Sequence, residues 1–188
     1  FLLREIVLGQ DGNFNRDALI QRINSDLAND LGNLLHRTLN MINKFQKGVL
    51  IEGGEYSEID NSLKNEAIET AKEYRVLMEN LQISDAVKNV WKFISRCNKY
   101  IDETAPWKLA KDETQKKNLA NVLYNLAESL RIIAILISPF MPITSRRILE
   151  QLKVSQDIKL EDAETFDALE INHQVGKPEQ LFPRIELE

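Results

Sequence analysis

Three side chains, Asn33, Arg37 and Trp107, have the types and the spacing that could recognise a ligand. Asn33 and Arg37 are four residues apart, so on a helix one lies above the other. A carboxamide and a planar guanidinium offer paired donors and acceptors that suit the edges of nucleic-acid bases. Trp107 follows Pro106, and a tryptophan separated from the core by a proline break could stack on an unpaired base. By pattern alone, a solvated Asn and Arg and a packed Trp remain the commoner alternatives.

Three lysines near these positions could contact phosphate groups, namely Lys44, Lys47 and Lys99. The chain of 188 residues has a formal net charge of −5 at pH 7 and a pI near 5.3. This balance excludes a polycation that binds nucleic acid through bulk charge, so any nucleic-acid contact must be local. For each lysine taken singly, a solvated charge is the simpler interpretation.

The residues that usually carry catalysis are not arranged for it. His36 has no nucleophile at helical spacing and His173 falls in a loose terminal region, so no catalytic triad is recognisable. The sequence also lacks a Glu-x-x-His pair for metal and a Gly-rich loop for phosphate. The single cysteine, Cys97, fits a core position and a reducing compartment. The sequence therefore predicts binding, with no catalytic residue and no metal site.

A long amphipathic helix, predicted from an N-cap at Asn15 to about Lys47, must position the first two candidate residues. Its apolar residues recur at steps of three and four and should form one buried face: Leu27, Leu31, Leu34, Leu35, Leu39, Ile42 and Phe45. We expect Gly48 to close the helix in a left-handed conformation. The interior Gly32 predicts either a bend or the close approach of another backbone.

The same periodicity predicts further helices over about residues 60–82, 84–103, 113–137 and 144–152. Ser84 is the expected N-cap of the second of these, Leu81 is expected on the buried face of the first, and 49–61 is expected to be a solvent-exposed loop. Pro106 should end the helix before Trp107, which then lies on a turn or at a new helix start. After Ser155 the pattern weakens to one helical turn within 161–169 and an extended remainder.

These elements predict an all-α fold, an antiparallel bundle of four to five helices with an extended C-terminal tail. We divide the chain into a connection from a preceding domain at 1–14, the bundle at 15–153 and the tail at 154–188. No signal peptide is visible, and the longest apolar run, Ile132–Ile137, is too short to span a bilayer. We therefore expect a cytoplasmic, monomeric chain without membrane contact.

Four stretches, in order, carry a resemblance to a known family: INSDLANDLGNLLHRTLNMINKF, YIDETAPWKLAK, ISPFMPITSRRILEQL and LFPRIE. They resemble the carboxy-terminal part of bacterial methionyl-tRNA synthetases, whose α-helical bundle recognises the anticodon. FLLRE with its DGNF turn resembles the exit from that family's catalytic domain, and the LFPRI tail resembles the segment that returns toward it. The resemblance implies that the chain is an excised piece of a larger enzyme and that 15–153 is its anticodon-binding domain.

The resemblance also implies roles for particular residues. Asn33 and Arg37 would contact the first base of the CAU anticodon of tRNA(Met), and Trp107 would stack with the anticodon bases. The parent enzyme would join methionine to tRNA(Met) using ATP, and could also carry zinc. The family's His-Ile-Gly-His and Lys-Met-Ser-Lys-Ser signatures and its zinc-knuckle cysteines are absent from this sequence. The fragment should therefore hold no cofactor and should not activate methionine.

Two alternatives remain at this point. The chain could be the related helical domain of another class I synthetase, for leucine, isoleucine, valine or cysteine. It could also be a helical docking module whose polar face meets a protein. Anchors of a protein interface are usually exposed apolar or aromatic side chains, whereas the predicted first helix offers Asn, Arg and Lys opposite its apolar face.

Overall fold

The structure, a computed structural model, describes residues 1–186 and is all-α in that range. Five helices of eleven or more residues form the bundle, which confirms the predicted fold class. The helices are α1 Leu2–Glu5, α2 Arg16–Arg22, a π-helix Ile23–Gly32, α3 Asn33–Gln46, α4 Glu58–Glu79, α5 Ile83–Thr104, α6 Pro106–Leu109, α7 Lys116–Ile137 and α8 Pro142–Leu152. Short 3₁₀ turns cover Glu113–Gln115 and Leu160–Glu164.

The centre of the bundle is α7, which packs against α3, α4, α5 and α8. Nearly all of its side chains are buried, as its wide apolar stripe predicts. By length and composition, the element Glu113–Ile137 could also cross a membrane, contrary to our expectation that no apolar run is long enough. Its most apolar window is completely buried inside the bundle, which is the environment of a core helix in a folded domain.

The predicted first helix is not one uninterrupted α-helix. Its middle, Ile23–Gly32, is a π-helix, which we call the π segment. Side chains of α5 hold the widened turns, because Trp91 Nε1 donates to the Asp26 carbonyl at 3.3 Å and Asn98 Nδ2 donates to the Asp30 carbonyl at 3.2 Å. The expectation of a bend or a close backbone at Gly32 was therefore incomplete, since the helix widens there instead.

Other helix boundaries differ from the sequence prediction for identifiable reasons. Ser84 is not the N-cap of α5, because its hydroxyl donates to the Arg4 carbonyl at 2.6 Å instead. Leu81 does not lie on the buried face of α4, because that helix ends at Glu79 and Leu81 is an exposed residue with φ of 58°. Lys47 adopts the left-handed conformation together with Gly48, which was the only residue expected to do so.

The loop between α3 and α4 is packed more closely than a solvent-exposed connection. Leu50 is buried, and Asn121 Nδ2 of α7 donates to the Glu55 carbonyl at 3.0 Å. A Cβ atom at Gly53 would lie 1.7 Å from the Asn121 Oδ1 atom, so any other residue there would displace the Asn121 carboxamide. The expected exposure of this loop was wrong for Leu50, whereas Ile51, Glu52 and Glu55 are exposed as expected.

The segment after α8 has little regular structure, as predicted, but it lies on the bundle. The predicted helical turn is present as the 3₁₀ turn Leu160–Glu164. Three apolar side chains farther along are buried, namely Leu169, Val175 and Leu181. A single antiparallel bridge joins Gln174 to Val49. Burial and pairing of this kind fix the course of the tail across the helices.

Candidate nucleic-acid interface

The helix α3 presents its two candidate residues because its other face is locked in the core. Leu34, Leu35 and Leu39 are fully buried beneath that face. Asn33 is exposed, and Arg37, one turn later, keeps 29 % of its side chain exposed. A stripe of buried leucines restricts the helix from turning, so the two polar side chains are held toward the same surface.

Trp107 reaches the surface because α5 stops just before it. The last residue before the proline, Ala105, has φ of 44° and ψ of 61°, a left-handed conformation that ends the helix. Pro106 then starts the four-residue helix α6, where its fixed φ suits the first position. Pro106 is buried whereas Trp107 is 41 % exposed. The break thus anchors one side of the turn and leaves the indole partly open to solvent.

The structure brings Arg37 and Trp107 together. The guanidinium carbon of Arg37 lies 6.0 Å from the centroid of the Trp107 ring. Asp102, near the end of α5, accepts a hydrogen bond from Arg37 Nη2 at 2.9 Å. One carboxylate therefore orients the guanidinium, and its remaining N–H groups are available to a ligand. A flat cation beside a partly exposed indole can hold an unstacked base by stacking and by edge hydrogen bonds.

Asn33 lies one turn before this pair and makes no hydrogen bond through its side chain within residues 1–186. It lines a groove between α3 and the C-terminal tail, where the Phe182 ring approaches Gly32. The carboxamide is therefore free to bind a polar group at the edge of this groove, one helical turn before Arg37.

Two of the three lysines contact residues outside that pair. Lys99 Nζ lies 3.5 Å from the Glu103 carboxylate. Lys44 and Lys47 are exposed near the far end of α3, and Lys44 Nζ lies 5.5 Å from the Phe45 ring centroid. In the described part of the chain, none of the three forms an ion pair or hydrogen bond with the candidate residues. Their roles as phosphate contacts stay a prediction.

Two parts of the site were missed by sequence reasoning. Asp102 stands five residues before Trp107 within the same motif, YIDETAPW, but its partner is 65 positions away in the chain. The wall that Phe182 and Arg184 add beside Asn33 also comes from a distant segment. A carboxylate within the same motif as Trp107 was a usable sequence signal for Asp102. No local sequence pattern predicts the contact with the tail.

The described residues offer neither a metal-binding cluster nor a reactive thiol. Within residues 1–186, no group of three or more His, Cys, Asp or Glu side chains is arranged to hold a metal ion. Cys97 is fully buried, and burial raises the pKa of its thiol to about 12. A thiol with that pKa stays protonated near neutral pH, so Cys97 is a packing residue and not a nucleophile.

Comparisons with known proteins agree with this reading of the fold. Residues 50–188 match a family described as the anticodon binding domain of methionyl tRNA ligase, and residues 1–39 match the class I tRNA synthetase family marked M. The chain is 52 % identical over 188 residues to the methionine–tRNA ligase of Caldanaerobacter subterraneus, covering 100 % of this chain and 30 % of that protein. It is 47 % identical over 190 residues to the Bacillus subtilis ligase, with 100 % and 29 % covered.

A solved structure gives the same picture. The apo methionyl-tRNA synthetase of Mycobacterium tuberculosis superimposes with a TM-score of 0.93 at 33 % identity, and covers 100 % of this chain and 38 % of that one. The chain thus spans about 30 % of the length of the curated relatives it matches.

Proposed function

The chain belongs to the methionyl-tRNA ligase family as its anticodon-binding domain, and on that premise we propose that Asn33, Arg37 and Trp107 bind the unpaired bases of the CAU anticodon loop of tRNA(Met). Arg37 and Asn33 contact the edge of the first anticodon base, and Trp107 supplies a stacking face. Side chains can read single-stranded loops in this way because unstacked bases expose both edges and faces.

The observation that supports the proposal most directly is the Arg37–Trp107 pair. Its guanidinium and indole lie 6.0 Å apart on the surface, with Asn33 one helical turn away. Asp102 occupies only one nitrogen of the guanidinium. An arginine held in place before the ligand arrives loses less rotamer freedom on binding, which favours affinity.

The catalytic role belongs to the parent polypeptide in this proposal. We infer that the parent is cytoplasmic, that it attaches methionine to tRNA(Met) with ATP in a catalytic part that precedes this domain, and that any zinc site belongs to that part. A second solved structure, the Mycobacterium tuberculosis methionyl-tRNA synthetase, is 33 % identical to this chain with a TM-score of 0.91. That enzyme is bound by methionyl-adenylate, which supports ATP-dependent chemistry in the parent. The domain itself acts as a monomeric binding module that holds the anticodon while the 3′ end reacts elsewhere. Domains of other class I synthetases and a protein-docking module are not favoured by the family match.

The test is binding of RNA hairpins with seven-nucleotide loops to the 188-residue chain, followed by fluorescence anisotropy. We expect a CAU loop to bind more tightly than the same loop with its anticodon scrambled. Trp107→Ala should weaken binding by about 10-fold, since stacking on an aromatic ring contributes ~1–3 kcal/mol per base. Arg37→Gln should weaken binding comparably and reduce the preference for CAU.

A matched control separates recognition from folding. Phe93→Leu changes another aromatic residue, which is buried on α5 and lines neither the Arg37–Trp107 surface nor the π segment. We expect this variant to lower thermal stability while leaving hairpin binding by the folded fraction unchanged. Trp107→Ala should do the reverse. Equal affinity of wild type and Trp107→Ala for the CAU hairpin would refute the proposal.

A further inference from the structure

A groove beside Asn33 lies between the π segment, the start of α3 and the C-terminal tail, with a volume of about 720 Å³. We call it the tail groove. Its polar and aromatic lining comes from two sides: Asn29, Asn33 and His36 on the helices, and Gln180, Phe182 and Arg184 on the tail. None of its described lining residues is acidic, in a chain whose net charge is −5.

The groove between α4 and α5 differs from the tail groove in the charge of its lining. That groove has a comparable volume, about 610 Å³, but its charged lining residues are one lysine, Lys92, and four glutamates: Glu58, Glu66, Glu69 and Glu73. A row of carboxylates repels a phosphodiester backbone. The tail groove offers the arginine of Arg184 and several uncharged amides, so it is the groove of the two that suits a polyanion.

The tail wall is firmly held. Arg147 of α8 donates to the Leu181 carbonyl at 3.0 Å and to the Gln180 carbonyl at 2.7 Å. Leu181 is buried, and Asn24 exchanges two hydrogen bonds with the backbone of Ile185, at 2.8 and 2.9 Å. A wall fixed on both sides of Phe182 keeps the groove open before any ligand arrives.

The groove combines a flat apolar surface with free polar groups. Small residues, Ala28 and Gly32, lie at its base. A Cβ atom placed at Gly32 would lie 3.5 Å from Phe182 Cδ2, so the ring sits close to the helix backbone there. Arg184 donates through Nη2 to Asn29 Oδ1 at 2.7 Å and keeps its other N–H groups. A ring, amides and a guanidinium are the groups that bind the face, edge and phosphate of one nucleotide.

We propose that the tail groove binds a second unpaired nucleotide of the same RNA loop, with its phosphate on Arg184 and its base beside Phe182. The inference rests on the proposed function, because Asn33 lines this groove and lies one helical turn before Arg37 on α3. The domain then holds two neighbouring nucleotides on surfaces built from different parts of the chain. The nucleotide in the tail groove is a different one from the nucleotide whose base Arg37 contacts.

The test uses the 188-residue chain, the CAU hairpin and its scrambled counterpart, with affinity measured from 50 to 200 mM salt. Arg184→Gln should lower the affinity for the CAU hairpin about 3- to 10-fold. It should also reduce the slope of log K against log salt by about 0.7, the value for one single-strand phosphate contact. Arg184→Lys keeps the charge and should retain the wild-type slope. Arg16→Gln, which changes an exposed arginine outside the groove, should alter neither quantity.

The outcomes separate this proposal from the function it rests on. Wild-type affinity and salt slope in Arg184→Gln, with Trp107→Ala still weakened, overturn the tail groove alone. Equal losses in Arg184→Gln and Arg184→Lys also overturn it, because they show a purely structural role in docking the tail. Equal affinity of wild type for the CAU and scrambled loops, with binding still weakened in Arg184→Gln, overturns anticodon recognition and supports the groove as an RNA site. No binding of either hairpin by wild type overturns both.

Discussion

Two arginine–carboxylate pairs in this chain have the same chemistry in opposite environments. Arg131 and Glu128, both on α7, keep only 5 % and 0 % of their side chains exposed. Arg37 and Asp102, which join α3 to α5, keep 29 % and 66 % exposed. The attraction in an exposed pair is screened by water, whereas a buried pair must satisfy every donor and acceptor that it removes from water.

The hydrogen bonds of the buried pair show how completely it is satisfied. Arg131 donates to Glu128 at 2.8 and 3.0 Å, and also to the carbonyls of Asp162 and Thr165, each at 2.7 Å. Glu128 accepts the backbone N–H of Leu169 as well. These partners all belong to the segment after α8. The N–H groups of the buried Arg131 therefore bind that segment to the bundle, whereas Arg37 has N–H groups left for a ligand.

Removing the buried arginine should give the largest effect. Arg131→Met leaves the Glu128 carboxylate buried without its partner and two carbonyls without donors, so we expect a loss of ~3–5 kcal/mol in the free energy of unfolding. For a chain of this size that lowers Tm by about 10 °C. Urea and thermal denaturation followed by circular dichroism measure both.

The matched substitution on the exposed pair tests the comparison directly. Arg37→Met should change the free energy of unfolding by less than ~1 kcal/mol, because the pair is screened by solvent. If the two variants lost similar stability, exposure would not distinguish the roles of the two pairs, and the comparison would fail.

Burial also acts on protonation inside the bundle. The pKa of Cys97 rises to about 12 from 9.0 because its thiolate would be desolvated. A folded-state pKa above the unfolded one leaves stability intact below about pH 9 and lowers it as pH rises further, by about 1.4 kcal/mol per unit. Cys97→Ala removes this titration, at a cost of about 1 kcal/mol for the lost sulfur contacts.

The pH dependence should therefore reverse the order of the two proteins. Near pH 7 we expect Cys97→Ala to be less stable than wild type, and near pH 10.5 we expect it to be more stable, after wild type has lost about 2 kcal/mol at this site. The buried tyrosines titrate in both proteins, so the difference between them isolates the thiol. Parallel stability curves from pH 7 to about 10.5 would show that burial does not control this group.

The sequence predicted elements whose cause is local. The leucine stripe of α3 follows from a spacing of three and four residues, and Leu34, Leu35 and Leu39 are all buried as expected. The end of α5 before Trp107 follows from Pro106, which disfavours the right-handed helical conformation at Ala105. In both cases, the physical cause lies within a few residues of its effect.

Sequence reasoning missed the features that depend on residues far away in the chain. The π segment depends on Trp91 and Asn98, which donate to its carbonyls from a helix more than 60 positions later. Ser84 has the chemistry of an N-cap but finds a carbonyl of Arg4 instead, 80 positions earlier. The partner of Arg37 and the wall of the tail groove belong to the same class. The spacing of residues in a sequence does not show which distant side chain will form a hydrogen bond with a given polar group.

A pair of buried tyrosines extends the comparison from charges to hydroxyl groups. Tyr100 donates to the Asp60 carboxylate and accepts from Asn125 Nδ2 at 3.2 Å. Tyr74 is buried, and its hydroxyl has no hydrogen-bond partner within residues 1–186. Tyr100→Phe should therefore lower the free energy of unfolding by about 1.5 kcal/mol, because Asp60 loses a buried donor.

The same substitution at Tyr74 removes a hydroxyl that gains nothing from its surroundings. We expect Tyr74→Phe to be neutral or to stabilise by up to about 1 kcal/mol. Urea denaturation of both variants measures the contrast. A loss at Tyr74 as large as that at Tyr100 would contradict the assignment of polar partners in this core.

The smallest expected effect on stability concerns Asp102, and it separates orientation from charge in the exposed pair. Asp102→Asn keeps an acceptor oxygen for Arg37 Nη2, whereas Asp102→Ala removes it. Both should change the free energy of unfolding by less than ~0.5 kcal/mol, because 66 % of the Asp102 side chain is exposed. If Asp102 positions the guanidinium for the ligand, Asp102→Ala should weaken CAU-hairpin binding about 3- to 5-fold, because the arginine must then be ordered on binding, while Asp102→Asn should retain most of the affinity. Equal affinities of the Ala and Asn variants would show that Arg37 is held by α3 and the Trp107 ring alone.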